Sequence, residues 1–522
     1  MYQSGEGFVP DDIRPNTEVL VIGQNPGEHE EQGHRITGYN GSRPTMVPCR
    51  PQPFVGPTGY QLNKTFLPLA GLTRDDVSVA NTIRCRWNNT NDLPKGKVLK
   101  EALAYCRQYD TKVEFKLTVA MGAVAWAALD GPGSITDWRG SLHPSKPVYA
   151  TIHLADLYHD SRMDVVTRRD YQRIPKILRG EWPLPLPGVI SSLEDTDKWI
   201  KDALAAPYVT IDTEYDPIVK HLILIGIGSP GIRTLQIDMR DAYQRPLAKS
   251  LTARLLKANR VVYHNALADV PILKHNFGLS WEDHKCVEDT MQAHAILWSE
   301  LPHTLDFCAS IYGGYSYWKH LNREDLAIYH QYDVSSTGQV WEALDGELHR
   351  DPDSKRVYYT QMRLLPYIAE SMEEGISVNA VKVQEAYVEY EKKVIDADAL
   401  AQSTMGWPIN IRSNKQLGYE LYDVLGLPVQ KNHKTKSRTL AKDAVVVLRS
   451  RFLEVDPEEE VSEAHSIRRI EEGANPLLEA IVLAGEAQQA ISHFLNPLMR
   501  EDGSVVARVH PNIALHAQAN AR

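Results

Sequence analysis

Val209-Thr210-Ile211-Asp212-Thr213-Glu214 opens a stretch with two further acidic motifs, Val262-Tyr263-His264-Asn265-Ala266-Leu267-Ala268-Asp269 and Tyr329-His330-Gln331-Tyr332-Asp333. Tyr208 to Ile211 is a short apolar, β-branched run, which predicts a buried strand. Residues two apart on a strand share a face, so Asp212 and Glu214 project side by side from its end. Carboxylates this close repel one another unless a cation sits between them. A pair of divalent ions spaced for in-line phosphoryl displacement would use them as ligands. Asp269 follows the apolar pair Val261-Val262 and a turn into a predicted helix. Tyr329 and Asp333, four apart, share one helix face. That places a hydroxyl able to orient an attacking water beside a carboxylate able to hold a metal. Hard oxygen ligands of this kind suit Mg²⁺ or Mn²⁺. A lone Asp-x-Glu is usually a solvated strand end, and a lone Tyr-x-x-x-Asp says almost nothing. Their order, each after a plausible element, is what carries the signal.

Asp289-Thr290 before an apolar-rich helix and His303-Thr304-Leu305 complete the pattern. Together these motifs resemble the DnaQ-like exonucleases of the DEDDy type, specifically the proofreading domain of family A DNA polymerases. The resemblance implies a ribonuclease H-like domain with 3′→5′ exonuclease activity on the 3′ end of a primer–template or a single strand. It implies two Mg²⁺ or Mn²⁺ ions held by Asp212, Glu214, Asp269 and Asp333, with Tyr329 positioning the water and Asn265 contacting DNA.

The 522 residues suggest about three domains. Hydrophobic and charged fractions are ordinary for globular protein. No apolar run approaches the ~20 residues that span a bilayer, so no membrane partner is expected. The Met1–Asp12 start lacks the pattern of a signal peptide. Five irregularly spaced cysteines fit a reducing compartment, and the cytoplasm is the expected location. The net charge of −10 does not announce a nucleic-acid binder, so DNA contact is expected from local basic patches. The acidic segment Glu454–Glu463 contributes to that charge and is most simply a solvated face.

Ahead of the acidic motifs, Glu18–Ile22 predicts a buried strand running into the loop Gly23-Gln24-Asn25-Pro26-Gly27, at a strand end where ligands of α/β sheets bind. Further strands are predicted at Val77–Ala80, Leu117–Met121 and Val148–Thr151, with helices between them, which makes a small α/β/α domain. The Gly23–Gly27 loop, Pro53–Gly59, Asn81–Arg86, Trp138-Arg139-Gly140 and Ala150–Ala155 resemble the uracil-DNA glycosylase superfamily, most closely its family 4/5 branch, over roughly residues 15–180. The resemblance implies a pocket for an extruded uracil, lined by Gln24, Asn25, Phe54, Asn81 and His153. In it Phe54 stacks the base, Asn81 reads its edge, Asn25 positions water and His153 stabilises charge on the departing base. The sequence departs from the family 4 pattern at three places. Gln24-Asn25 stands where family 4 has Glu-Ala, His153 is followed by Leu154 in place of proline, and an insertion spans about Gly33 to Gln52. Family 4 members carry an iron–sulfur cluster, which needs four ligands. Cys49, Cys85 and Cys106 offer three, so a cluster is not expected. A basic helix, Arg162–Arg179, and a Pro-rich linker, Glu181–Gly188, follow. The expected domains are 1–182, 183–345 and 346–522.

Beyond Asp333 the pattern is almost wholly helical. Gly375–Asn379, Asn410–Leu417, Leu425–Pro428 and Lys434–Lys442 resemble the start of the family A polymerase domain, the palm base and thumb. Lys431, Lys434, Lys436, Arg438 and Lys442, interleaved with hydroxyl residues, suit contact with duplex phosphates. In that family the chain's last residues would lie just before the first catalytic palm aspartate, with Arg522 matching an arginine there. The resemblance implies a truncated or split polymerase of phage type in the host cytoplasm, with a second chain carrying palm and fingers. The reading is therefore an α/β multidomain chain: glycosylase-like, exonuclease, and partial helical polymerase. The alternatives are a silent DNA- and uracil-binding subunit, or an active glycosylase fused to a nuclease.

Overall fold

The computed structural model describes residues 7–87, 93–190, 196–432, 437–441, 443–445, 447–448 and 476–515. The chain divides into two compact units, Met1–Ala369 with Ala514–Arg522, and Glu370–Ile513. His433, Lys434, Lys436, Lys442, the Glu454–Glu463 segment and Arg522 lie outside the described residues.

Among the described residues the first unit holds two large sheets and a two-stranded ribbon. In the N-terminal sheet, β1 (Val19–Gly23), β4 (Val77–Asn81), β5 (Leu117–Met121) and β6 (Val148–Thr151) are all parallel in the order β4-β1-β5-β6. Their near-continuous apolar runs suit a sheet covered on both faces. Val19, Val21, Val77, Val79, Val119 and Tyr149 pack with Leu62, Phe66 and, from the helix Met163–Leu178, Tyr171 and Ile174. Because the strands are parallel, Gly23, Asn81 and Thr151 finish at the same edge, and the loops after them meet there. The insertion forms an antiparallel ribbon, β2 (His34–Asn40) and β3 (Arg43–Pro48), outside this sheet.

The second sheet is mixed. Its order is β12-β11-β8-β9-β10-β7, built from β7 (Val189–Ile190), β8 (Val209–Tyr215), β9 (Leu222–Gly228), β10 (Thr234–Asp238), β11 (Arg260–Tyr263) and β12 (Cys286–Asp289). β9 runs antiparallel to β8 and β10, while β8, β11 and β12 are parallel. The helix Leu326–Arg350 crosses this sheet through Val334, Val340 and Trp341. Glycine decides how closely it can approach. A Cβ on Gly226 would stand 2.5 Å from His330 Cε1 and 2.6 Å from Val334 Cγ2, and one on Gly228 would stand 2.8 Å from Val334 Cγ1. The bare floor of β9 lets the helix settle low enough to bring Asp333 to the end of β8.

One basic residue behaves differently from its sequence context. The Arg162–Arg179 stretch reads as a solvated or phosphate-facing helix, yet Arg173 is buried and donates to the carbonyls of Gly140, Ser310 and Gly313. Arg168, by contrast, pairs at the surface with Asp164 at 2.6 Å. No described helix is long and apolar enough to cross a membrane.

The second unit is mostly helical. The helix Ala380–Met405 packs against Pro476–Gln489 through Ala397, Ala401, Ala480 and Ala484, small residues that let two backbones come close. A two-residue pairing of β13 (Ile376–Ser377) with β14 (Arg508–Val509) closes the unit next to Gly375, whose φ of +70° and 2.6 Å Cβ approach to the Val509 carbonyl exclude a side chain.

Gly226→Val is expected to force the helix Leu326–Arg350 off β9. By the usual cost of overpacking, the urea midpoint should fall by the equivalent of about 1–3 kcal/mol. An unchanged midpoint would contradict the close-packing account.

Candidate active site

Asp212 and Glu214 sit on β8, and Asp333 comes from the second turn of the helix Leu326–Arg350. One ligand atom from each lies within 4.8 Å of the other two, a grouping able to hold a metal ion. The surroundings make that cation electrostatically welcome. Burial, with the Asp212 charge, pushes the Glu214 carboxyl up to about 7. Burial also raises Asp333, against the pull of Lys319. Three oxygen donors fit a hard divalent ion.

Asp269 stands apart from that trio. It lies in the first turn of the helix Ala266–Phe277, where its Oδ1 accepts from the Thr213 backbone N–H at 3.0 Å and from the Thr213 hydroxyl at 2.6 Å. Burial, reinforced by Asp212, raises its pKa well above the carboxylate range. Asn265 caps the same helix at φ +74°, and its N–H donates to Asp289 Oδ1. Asp289, fully buried, also accepts from Ala266, Met291 and Gln292, so it anchors the two helix starts beside the site.

Three contacts at the centre were not legible in the motifs. His330 is buried, and its Nε2 lies 3.2 Å from Asp212 Oδ2 and 3.1 Å from the Asp212 carbonyl. Burial opposes its charge, but Asp212 outweighs that and raises its pKa. Trp318 Nε1 donates to Asp333 Oδ1 at 2.7 Å. Lys319 Nζ donates to both Asp333 oxygens, at 2.8 and 2.9 Å, and to the Tyr329 hydroxyl at 2.9 Å. The Tyr329 hydroxyl itself is pushed up to about 12, by burial first and then by Asp333, so it stays protonated.

At the open edge of the parallel sheet lies a cavity of about 500 Å³, lined among others by Gln24, Asn25, Phe54, Asn81 and His153. A Cβ on Gly23 would stand 2.6 Å from Asn81 Oδ1 and 2.8 Å from the Phe54 ring, so the first glycine of the loop is what lets ring and amide converge. Phe54 holds φ +59°, an uncommon conformation for a residue with a side chain. Glu30 supports it. This buried carboxylate accepts from the backbone N–H of Phe54 and of Gly27, and lies 3.4 Å from the Asn81 amide nitrogen, tying three pocket motifs together. His153 Nδ1 accepts from the Ala155 N–H at 3.2 Å, which leaves the proton on Nε2, and burial lowers its pKa. Tyr158 at the rim is exposed.

Of the cysteines singled out, Cys85 and Cys106 are buried, and burial pushes both thiols up. In the second unit, Lys431 and Arg438 face each other across an isolated bridge, and Arg438 pairs with Asp423 at 2.7 Å.

Glu30 makes pH a test of the pocket. Burial raises its carboxyl to about 7 from an ordinary 4.5. A carboxyl raised on folding contributes stability that is present below pH ~4.5 and is lost as pH rises to about 7, roughly 3 kcal/mol in all. Urea denaturation at stepped pH should show this fall in the wild type and a flatter profile in Glu30→Gln. Equal slopes would contradict the buried-carboxylate assignment.

Comparison with known proteins gives these two geometries a family setting. Residues 10–173 match the family model of the uracil DNA glycosylase superfamily, and residues 187–336 match that of a 3′-5′ exonuclease of the DNA polymerase A type. The chain is 24% identical over 188 residues to the type-4 uracil-DNA glycosylase of Sulfurisphaera tokodaii, covering 34% of this chain and 77% of that protein. It is 29% identical over 111 residues to the type-4 enzyme of Saccharolobus solfataricus, covering 21% and 44%. It is also 28% identical over 275 residues to DNA polymerase I of a Synechocystis species, covering 48% of this chain but only 28% of the polymerase. This chain thus carries a uracil DNA glycosylase superfamily domain followed by a DNA polymerase A-type 3′-5′ exonuclease domain.

Proposed function

We propose that this protein removes nucleotides from DNA 3′ ends by metal-dependent hydrolysis, as the proofreading part of a family A replication enzyme. The observation that carries this reading is the convergence of Asp212, Glu214 and Asp333 within 4.8 Å, one helical turn from the Tyr329 hydroxyl. Mg²⁺ or Mn²⁺ held by these carboxylates, with Asp269 serving a second ion, would supply Lewis acidity and an activated water. The protein's own groups do the rest. His330 fixes Asp212, Thr213 orients Asp269, and the protonated Tyr329 hydroxyl is placed to orient the nucleophile. Asn265, at the helix start beside the centre, would meet the terminal nucleotide. The similarity to DNA polymerase I favours proofreading over a free-standing nuclease, with Lys431, Lys434, Lys436, Arg438 and Lys442 on duplex phosphates.

The cavity in the first domain supports a second role, binding an extruded uracil. Phe54 would stack the base and Asn81 read its edge, with Gln24, Asn25 and His153 around it. Retention without excision is favoured. The neutral amide of Gln24 stands where family 4 has a glutamate, and an enzyme that cut template uracil would leave abasic sites in its own path.

A 5′-labelled primer–template bearing one uracil tests both. In Mg²⁺ a ladder shortening from the 3′ end is expected, absent in EDTA and in Asp212→Ala/Glu214→Ala. Tyr329→Phe should slow it by about 10²-fold or more, the usual scale for losing a group that handles the attacking water. A wild-type protein that leaves the 3′ end intact in Mg²⁺ and Mn²⁺ would overturn the exonuclease reading. In the EDTA lane the strand should survive alkali at the uracil. Cleavage there would make the pocket a working glycosylase.

A further inference from the structure

Trp318 and Lys319 both reach the acidic centre from outside the family motifs, and Lys319 brings a charge with it. Its ammonium sits on both oxygens of Asp333 and on the Tyr329 hydroxyl, with the Tyr329 ring centroid 4.7 Å away and the Trp318 ring centroid 5.5 Å away. It thus occupies, with one positive charge, a place where a cation shared by Asp333 would also lie. The segment that delivers it is held from the other side by the first domain. Arg139, fully buried, donates through both Nη atoms to Ser310 Oγ, at 3.0 and 2.6 Å. Arg173 donates to the Ser310 carbonyl at 2.9 Å. Tyr317 N–H donates to Ser141 Oγ at 2.9 Å, and Leu142 N–H to Ser316 Oγ at 3.3 Å. The Trp138 ring lies 5.1 Å from Tyr317 and 5.2 Å from His320. Residues on both sides of Lys319 are therefore gripped by the Trp138–Leu142 segment.

We propose that Lys319 is a positioning residue of the exonuclease centre, a tethered ammonium that orients Asp333 and Tyr329 and competes with divalent cations for Asp333. We further infer that the glycosylase-like domain sets the strength of this competition by bracing the Ser310–His320 segment. The inference rests on the reading of the acidic centre as a metal site. It gives the first domain a task in the second that does not depend on any base entering its own pocket. Two charges of one sign cannot share Asp333 at this distance without strong repulsion. A cation drawn to the trio must therefore displace Lys319, and any change that removes or loosens Lys319 should tighten cation binding.

Mn²⁺ binding to the full chain, followed by calorimetry and by the loss of the free-ion electron paramagnetic resonance signal, tests this without DNA. Lys319→Met keeps the stem and removes the charge, and it should bind Mn²⁺ at least tenfold more tightly than the wild type. Lys319→Gln should do the same, and Lys319→Arg, which keeps the charge, should stay near wild type. Ser141→Ala/Tyr317→Leu, which leaves the acidic centre intact and loosens the brace, should shift affinity several-fold in the direction of Lys319→Met. Equal affinity in wild type, Lys319→Met and Lys319→Gln, with wild-type 3′ digestion intact, would overturn the role of Lys319 alone. A tighter Lys319→Met with an unmoved brace variant would overturn the part assigned to the first domain. No Mn²⁺ binding in any variant, together with no digestion, would overturn the metal-site reading itself.

Discussion

Mutual repulsion among closely grouped, half-buried to buried carboxylates is the constraint around which the first unit is arranged. Asp212, Glu214 and Asp333 are brought within 4.8 Å of one another, and an uncompensated cluster of that kind is costly in a poorly solvated site. The fold holds it by several means at once. Gly226 and Gly228 remove the side chains that would keep the helix Leu326–Arg350 away from the sheet. His330 hydrogen-bonds Asp212, Lys319 lends positive charge to Asp333, and Thr213 hydrogen-bonds the neighbouring Asp269. What remains is a strained balance, visible in the rise of Glu214 to about 7. A divalent cation would relieve it.

The N-terminal domain follows a similar logic with a different outcome. Its cavity is assembled from loops at one edge of a parallel sheet, and Glu30 links three of them through a single buried carboxylate. Here backbone and amide donors oppose the cost of burying the charge, but burial wins and lifts the carboxyl to about 7. The same domain also turns outward. Arg139, Ser141 and Arg173, close in sequence or space to motifs associated with the pocket, meet the segment leading to Lys319. Shared structure at one interface thus joins a base-binding fold to an acidic centre in the same compact unit.

Much of this was legible in the sequence because it depends on local periodicity. The β-branched run before Asp212, the apolar strands ending at Gly23 and Asn81, and the four-residue spacing of Tyr329 and Asp333 each specify an element and a face. Family resemblance then named both domains. The contacts that were not legible depend on tertiary neighbours. Nothing around Lys319 or Trp318 marks them as reaching Asp333, which is fourteen or more positions further on. Arg173 lies in a run of basic residues and looks solvated until the Ser310–Gly313 backbone covers it. No motif points to Glu30, whose place emerges only when the loops of Gly27, Phe54 and Asn81 close around it. Gly226 and Gly228 carry no motif, and only the helix above them explains their placement.

Anomalous diffraction from crystals grown with Mn²⁺ would test the central claim most directly. The account predicts a peak bounded by Asp212, Glu214 and Asp333, with Lys319 Nζ drawn away from Asp333. A density map at saturating Mn²⁺ with no peak among these carboxylates, and Lys319 still on Asp333, would contradict it.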